Sequence, residues 1–303
     1  MIDQKKILLA AELLKKGEVV AFPTETVYGL GARVFDEKAI QKIYVLKGRP
    51  SDNPLIVHIG REEEIGLLAA EIPDSAYLLQ KHFFPGPLTL VLKRNPRVPS
   101  IVSAGLPTIA LRMPSHPIAL KLIQTLGEPI AAPSANLSGR PSPTRREHVL
   151  EDFEDKVPLI LDGGPCEWGI ESTVISLIHP QPMLLRPGII KKEEIERVLG
   201  IKIEVANKTE VALSPGMKYR HYAPKAKILL FEEGKKMEDY LEKTPSKKRV
   251  IISKVSTQSL YNDFRKADEK NVEEIILLCD PVLKNDVALM NRITHASGPH
   301  EKN

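Results

Sequence analysis

The sequence predicts an α/β protein: a mixed, twisted, open sheet flanked by helices, then a second, smaller, Rossmann-like parallel α/β unit. Three observations predict it. Short β-rich runs alternate with amphipathic segments through about residue 200. Some of these runs are joined by long helical crossovers and others by short turns, so parallel and antiparallel neighbours must coexist. From Lys227 a fresh β–α alternation begins, the pattern of parallel crossovers. The expected divisions are 1–205, a linker at 206–224, and 225–303.

The chain opens with Ile7, Leu8, Ala11 and Leu14 at helical spacing, with Asp3 placed to cap that helix and Gly17 to stop it. Strands are expected at Val19–Phe22, Leu55–Ile59, Leu88–Lys93, Ile109–Met113, Ile130–Ala132, Leu159–Leu161, Thr173–Ile178 and Met183–Arg186. Helices should start after Asp36 and after Ser115. A third should start at Thr144, where TRRE reads as a capping box that returns Glu147 to the cap. In the second unit, Lys227–Phe231, Val250–Lys254 and Glu274–Cys279 read as strands, with a helix from Asn285 to Ala296. The segment between the units, NKTEVALSPGMKYRHYAPKA, carries two tyrosines, an arginine and a histidine, which an inert Gly/Ser tether would not.

With 303 residues, 42% hydrophobic and 27% charged, the chain has the composition of a globular protein. No run of about 18 apolar residues suggests a membrane span, and the N-terminus lacks an apolar signal core. The two cysteines, Cys166 and Cys279, form no metal-ligand pattern and read as structural thiols of a reducing, cytoplasmic protein. A formal net charge of +4 fits an anionic ligand and is weak support for nucleic acid.

Chemistry gathers in six stretches. KGRPSDNP places Lys47 and Arg49 one residue apart, with Gly48 ending a helix and Pro50 and Pro54 stiffening the loop. A planar guanidinium fork beside a point charge suits phosphate oxygens, although a solvated basic loop would look the same in isolation. AFPTETVYGLGA sets hydroxyls and glycines at a strand end, where an ordinary turn is the alternative. PTIALRMP buries Arg112 in an apolar strand. That cation needs an acid of the protein or a ligand anion, and the ligand is the preferred reading. APSANLSGRPSPT packs Ser134, Asn136, Ser138 and Ser142 around Gly139, a loop able to wrap phosphates with neutral donors. GIESTVISL and LLRPG put Ser172, Thr173 and Arg186 at strand ends. His58, among apolar neighbours, reads by itself as a satisfied core histidine. No HExxH, GxSxG or Cys–His signature supplies a metal site or a covalent nucleophile.

Together, these six stretches resemble the YrdC-like family over about residues 5–200, with Lys-x-Arg and Ser-x-Asn as its two signatures. SPGMKYRHYAPKAK and NDVALMNRITHA resemble the linker and the end of the family's long two-domain form, although the second unit here is shorter than usual and ends in a polar tail. The resemblance implies that L-threonine, bicarbonate (or carbon dioxide) and ATP give threonylcarbamoyl-AMP and pyrophosphate, with magnesium carried on the ATP phosphates. It implies that Thr26, His58, Arg112, Ala132 and Ser172 form the threonine pocket. Arg49, Asn53, Thr108, Ser134, Ser142, Arg186 and His221 would contact ATP, and Lys47 and Asn136 would support the phosphates. Tyr219, Arg220, His221 and Tyr222 would form a lid. The product would pass to a tRNA threonylcarbamoyl transferase complex for threonylcarbamoyladenosine at position 37 of tRNAs reading ANN codons. The competing reading is a double-stranded RNA-binding module without adenylyl transfer. The low aromatic content, 5%, argues against it and leaves weak RNA binding at most.

Overall fold

The computed structural model describes residues 3–206, 222–245 and 247–298. Helix α1 (Gln4–Lys15) leads into β1 (Val20–Phe22), β2 (Gly29–Arg33), α2 (Glu37–Lys47) and β3 (Ile56–His58). The short α3 (Ile65–Leu68) and α4 (Asp74–Phe83) precede β4 (Leu88–Lys93), β5 (Thr108–Arg112), α5 (Pro117–Leu126), β6 (Ile130–Ala131) and α6 (Arg146–Phe153). Next come β7 (Thr173–Ser176), β8 (Met183–Arg186), α7 (Lys192–Leu199) and β9 (Glu204–Val205). The second unit runs β10 (Lys227–Phe231), α8 (Gly234–Lys243), β11 (Arg249–Ile252), α9 (Leu260–Glu269), β12 (Glu274–Leu278), α10 (Pro281–Asn285) and α11 (Val287–Ser297).

Among the described residues, nine strands form one mixed sheet in the order β1-β2-β6-β3-β5-β4-β7-β8-β9, and three form a second sheet in the order β10-β12-β11. The second sheet is parallel throughout. In the large sheet β3 pairs parallel with β5 while β4 pairs antiparallel with it, the mixture expected from the uneven connections. No helix among the described residues is long and apolar enough to cross a membrane.

Side chains alternate across a strand, so each sheet face can be read by register. Val57, Leu90, Leu111 and Ile175 point to one face and are buried with Ile40 and Ile43 of α2, Leu79 of α4 and Ile195 of α7. The opposite face is covered only in part. Over β1 and β6, Val20, Phe22, Ile130 and Ala132 pack under α1 and α5. Gly31 of β2 is needed there, because a Cβ would lie 2.6 Å from Ile130 and 2.7 Å from Phe22. Over β3, β5, β4 and β7 the same face carries a small separate cluster of Ile56, Ala110, Val91 and Val174.

Local signals act as expected at two helices. Asp3 accepts from the Lys6 amide and Asp36 from the Ala39 amide, and Gly48 ends α2 in the left-handed region at φ 58°. Two expectations need correction. Helix α6 starts at Arg146, which leaves Glu147 at the second position, and the Thr144 amide donates instead to Nδ1 of His148. Leu159–Leu161 makes one bridge to β1 through Ile160, not a full strand. Among the elements the sequence did not announce are β2, α4 and α7.

Candidate active site

The uncovered half of the large sheet is the floor of an open cleft. Its layout follows from register. His58 and Arg112 are direct neighbours on β3 and β5, and Ile56 is the neighbour of Ala110. Thr108, Ala110 and Arg112 therefore share the face of Ile56 and His58. The four residue steps from Arg112 to Thr108 cover about 13 Å. Extending the same register by two residues sets Thr108 level with Pro54. Antiparallel β6 runs the other way, so Ile130 lies beside His58 and the chain then passes Ala132 toward Ser134. The cleft thus has an Arg112 end and a Ser134 end.

At the Arg112 end, the guanidinium donates to Thr26 Oγ1 (2.8 Å) and to the Gly86 carbonyl (3.2 Å). Its Nη2 lies 2.6 Å from Oε1 of Glu25, both side chains being less than 5% exposed. The protein thus supplies an acid partner, Glu25, and Arg112 also lines the cleft. The pairing is a charge contact without hydrogen-bond alignment, since neither Glu25 oxygen has a directed donor. Thr26 is fixed by its own turn, where the Thr24 hydroxyl accepts from the Thr26 and Val27 amides and meets Thr26 Oγ1 at 2.8 Å.

His58 is buried, and its Nδ1 has no hydrogen-bond partner. It is not the satisfied core histidine its neighbours suggested. Burial, with Arg112 beside it, lowers its pKa to about 3, so the ring is neutral at physiological pH. Across the cleft, Ser172 meets the Thr89 hydroxyl at 2.7 Å and accepts from Arg186 at 3.2 Å, and Arg186 also donates to the Ser172 carbonyl. Arg186 is thereby seated against the Ser172 side. The Ala132 amide is taken by the Ile56 carbonyl, so its carbonyl is the backbone group left to orient a ligand.

At the Ser134 end the two cations part company. Lys47 is the last residue of α2, not part of the loop, and it is buried. Its ammonium donates to the carbonyls of Ser134 and Asn136, each at 2.5 Å. Burial and the nearby Arg49 hold its pKa well below the usual lysine range. It braces the Ser-x-Asn loop from beneath and does not line the cleft, contrary to the expectation of two cations on one loop. Arg49 does line the cleft. Asn53 and Pro54 hold it by their carbonyls and by Asn53 Oδ1 (2.7 Å), and burial lowers its pKa to about 10.

Within the loop, Ser134 lines the cleft, and its hydroxyl donates to Asn136 Oδ1 at 2.6 Å. Asn136 turns inward and donates to the Leu137 and Arg140 carbonyls. Ser142 is fully buried and donates to Glu171 at 2.5 Å. Asn53, Asn136 and Ser142 thus support the cleft from behind. Tyr222 lines its edge, whereas Tyr219, Arg220 and His221 lie outside the described residues. The sequence alone does not single out Glu25, Thr89 or Glu171. An acid next to a hydroxyl residue, in TET and IES, was the available signal for the two glutamates.

Cys166, buried nearby, has its thiol pushed up to about 12 by burial. What the cleft offers is a fixed guanidinium, hydroxyls and a neutral imidazole at one end, with a second guanidinium and a braced loop at the other.

A family model described as telomere recombination (Sua5, YciO and YrdC) matches residues 12–188, and one described as threonylcarbamoyl-AMP synthase, C-terminal domain, matches residues 190–298. The chain is 45% identical to the threonylcarbamoyl-AMP synthase of Pyrococcus abyssi, covering 98% of this chain and 95% of that protein. It is equally 45% identical to the synthase of Bacillus subtilis, covering 98% and 94%. The crystal structure of P. abyssi Sua5 complexed with L-threonine matches with a TM-score of 0.92 at 44% identity, covering 98% of this chain and 96% of that one.

Proposed function

The chain belongs to the Sua5/YciO/YrdC family, and from that premise we propose that it is a threonylcarbamoyl-AMP synthase, a nucleotidyltransferase acting on L-threonine, bicarbonate or carbon dioxide, and magnesium-bound ATP. One observation carries the reading. A single strand pair, β3 and β5, holds an amino-acid anchor at one end and a cationic loop at the other, on the same open face.

Arg112 clamps the threonine carboxylate, with Thr26, Ser172 and the Ala132 carbonyl setting its orientation. Two protons leave the threonine ammonium: one forms water with the hydroxide lost from bicarbonate, and the other goes to solvent. The amine nitrogen then bonds to the carbon of carbon dioxide. A carbamate oxygen attacks the α-phosphorus of ATP, the bond to the bridging oxygen breaks, and pyrophosphate departs with that electron pair. No step requires an enzyme nucleophile. A histidine with a pKa near 3 is too weak a base to take the amine proton at neutral pH, so His58 serves as an uncharged hydrogen-bonding partner. Arg49 and the Ser134 loop, braced by Lys47 and Asn136, stabilise the charge that builds on the transferring and leaving phosphates. Thr108, Arg186 and His221 complete the nucleotide side, which Asn53 and Ser142 back from behind. The residues Tyr219 to Tyr222 close over the mixed anhydride and exclude water.

The acyl adenylate feeds a cytoplasmic transferase complex that modifies adenosine 37 of ANN-reading tRNAs. The test is pyrophosphate release from ATP, with threonine and bicarbonate supplied together and each omitted. Release that needs both is expected, and release indifferent to threonine would refute the proposal.

A further inference from the structure

Arg265 on α9 and Arg292 on α11 are the two largest fully buried side chains among the described residues, and both reach out of the second unit. Arg265 grips both oxygens of Asp152 (3.0 and 2.9 Å) and donates to the Pro141 carbonyl (2.7 Å). Asp152 also accepts the Leu137 amide (3.0 Å) and pairs with Arg140 (2.6 Å). Arg292 donates to Glu171 Oε2 at 2.7 Å, and the Tyr261 hydroxyl donates to the same oxygen at 2.9 Å. The other oxygen of Glu171 accepts the Ser142 hydroxyl. Burial works to raise the Glu171 pKa, but Arg292, Arg186 and the Ser142 hydroxyl together outweigh it and hold the carboxyl below its usual range, an anion between two units.

These contacts converge on one segment. Lys47 holds its start at Ser134 and Asn136, Asp152 with Arg265 holds its middle at Leu137 and Pro141, and Glu171 with Arg292 holds its end at Ser142. The first anchor comes from the unit that forms the cleft, and the other two depend on the second unit. Neither arginine lines the cleft, and neither needs such a burial merely to dock two surfaces, since apolar residues would do that at less desolvation cost.

We infer that the second unit is a clamp on the nucleotide loop, with Arg265 and Arg292 as positioning residues that hold residues 134–142 in the shape that receives the phosphates. The inference rests on the threonine and ATP reading above and gives the small unit a part in it.

The test uses the full chain. Arg265→Met with Asp152→Asn removes the ion pair without leaving either charge buried alone, and Arg265→Lys keeps the charge but loses the fork. Two readouts are taken: amide hydrogen exchange in peptides covering 134–144 and in β10 and β12, and pyrophosphate release with ATP and threonine varied separately. In the double variant, exchange across 134–144 should rise about tenfold while β10 and β12 stay protected. KM for ATP should rise about tenfold and KM for threonine change less than about twofold. Arg265→Lys should fall between this variant and the parent. Unchanged loop exchange with a folded second unit overturns the clamp, and so does a parallel rise of both KM values. Should the double variant lose protection in β10 and β12, Arg265→Lys decides by the same criteria. A parent chain without threonine-dependent release would refute the functional reading, while loop exchange would still judge the clamp.

Discussion

Two halves of one sheet face have met opposite fates. Over β1 and β6, α1 and α5 cover the face, and Val20, Phe22, Ile130 and Ala132 are all apolar and buried. Over β3, β5, β4 and β7 no such helix pair lies among the described residues, and the same face carries His58, Arg112 and Thr89 among Ile56, Ala110 and Val91. Extending the β4–β5 register by one residue sets Thr89 beside Arg112, so the polar residues form a row across adjacent strands. Covering helices provide no hydrogen-bond partners, which makes any polar residue beneath them costly. Where they are lacking, the strands can hold groups whose partner is a ligand. Substitutions in the two halves should therefore divide stability from activity.

The largest effect should come from Arg112→Met. It leaves Glu25 buried without its cation, a loss of about 3–5 kcal/mol, and it should lower kcat/KM for threonine about 1,000-fold or more. Adding Glu25→Gln should restore much of the stability and none of the activity. In the covered half, Ile123→Ala should cost a comparable 2–5 kcal/mol, roughly, by cavity formation. Its kcat/KM, measured on folded protein, should stay within about twofold of the parent. Urea unfolding together with pyrophosphate release makes the comparison, and a large kinetic effect of Ile123→Ala would break it.

Next come the two cations at the Ser134 end, where Arg49→Met and Lys47→Met should each lower kcat/KM for ATP about 100-fold. They should differ in stability. Lys47→Met strips two buried carbonyls of their donor and should cost about 2 kcal/mol or more, whereas Arg49→Lys should cost less and still lose most activity with the guanidinium fork.

Much of this layout was legible in the sequence because its causes are local. Asp36 and Gly48 bound α2 by capping chemistry, and short apolar, β-rich runs announced β4 and β5. Strand β2 escaped because GLGAR is too small and too rich in glycine to read as a strand, its shape being set by Phe22 and Ile130 packing against it. The roles of Lys47, Glu25, Arg265 and Arg292 escaped for another reason. Their partners are distant in the chain: 113 residues separate Arg265 from Asp152, and 121 separate Arg292 from Glu171. Periodicity cannot report such pairings, and only the topology brings them together.

A smaller effect should follow from pH. The His58 pKa falls from about 6.5 unfolded to about 3 folded, so the unfolded chain binds the extra proton. The contribution of neutral His58 is thus complete above pH 6.5 and declines as pH falls toward 3, at about 1.4 kcal/mol per pH unit. His148, lowered to about 4 by burial, adds a slope of the same sign. His58→Gln should flatten the loss of stability between pH 6 and 4.5 by about one proton's worth, read from urea midpoints. An unaltered slope would mean that the ring is already charged in the folded protein.

The finest test exchanges a hydroxyl for a methyl in each half. Thr89→Val keeps the shape of the strand and removes the hydroxyl that meets Ser172, whose remaining side-chain partner is Arg186. It should cost about 1 kcal/mol and raise KM for threonine about fivefold, with kcat changed less, because Ser172 loses one of the contacts fixing its rotamer. Val20→Thr makes the reverse change under α1 and α5, where no partner awaits the hydroxyl. It should cost about 1–3 kcal/mol and leave KM unaltered. Two substitutions of equal size and similar stability cost would then differ only in whether threonine notices them. If Val20→Thr also raised KM for threonine, the covered half would be coupled to the cleft, and the division between scaffold and site would lie elsewhere than at the edge of the helices.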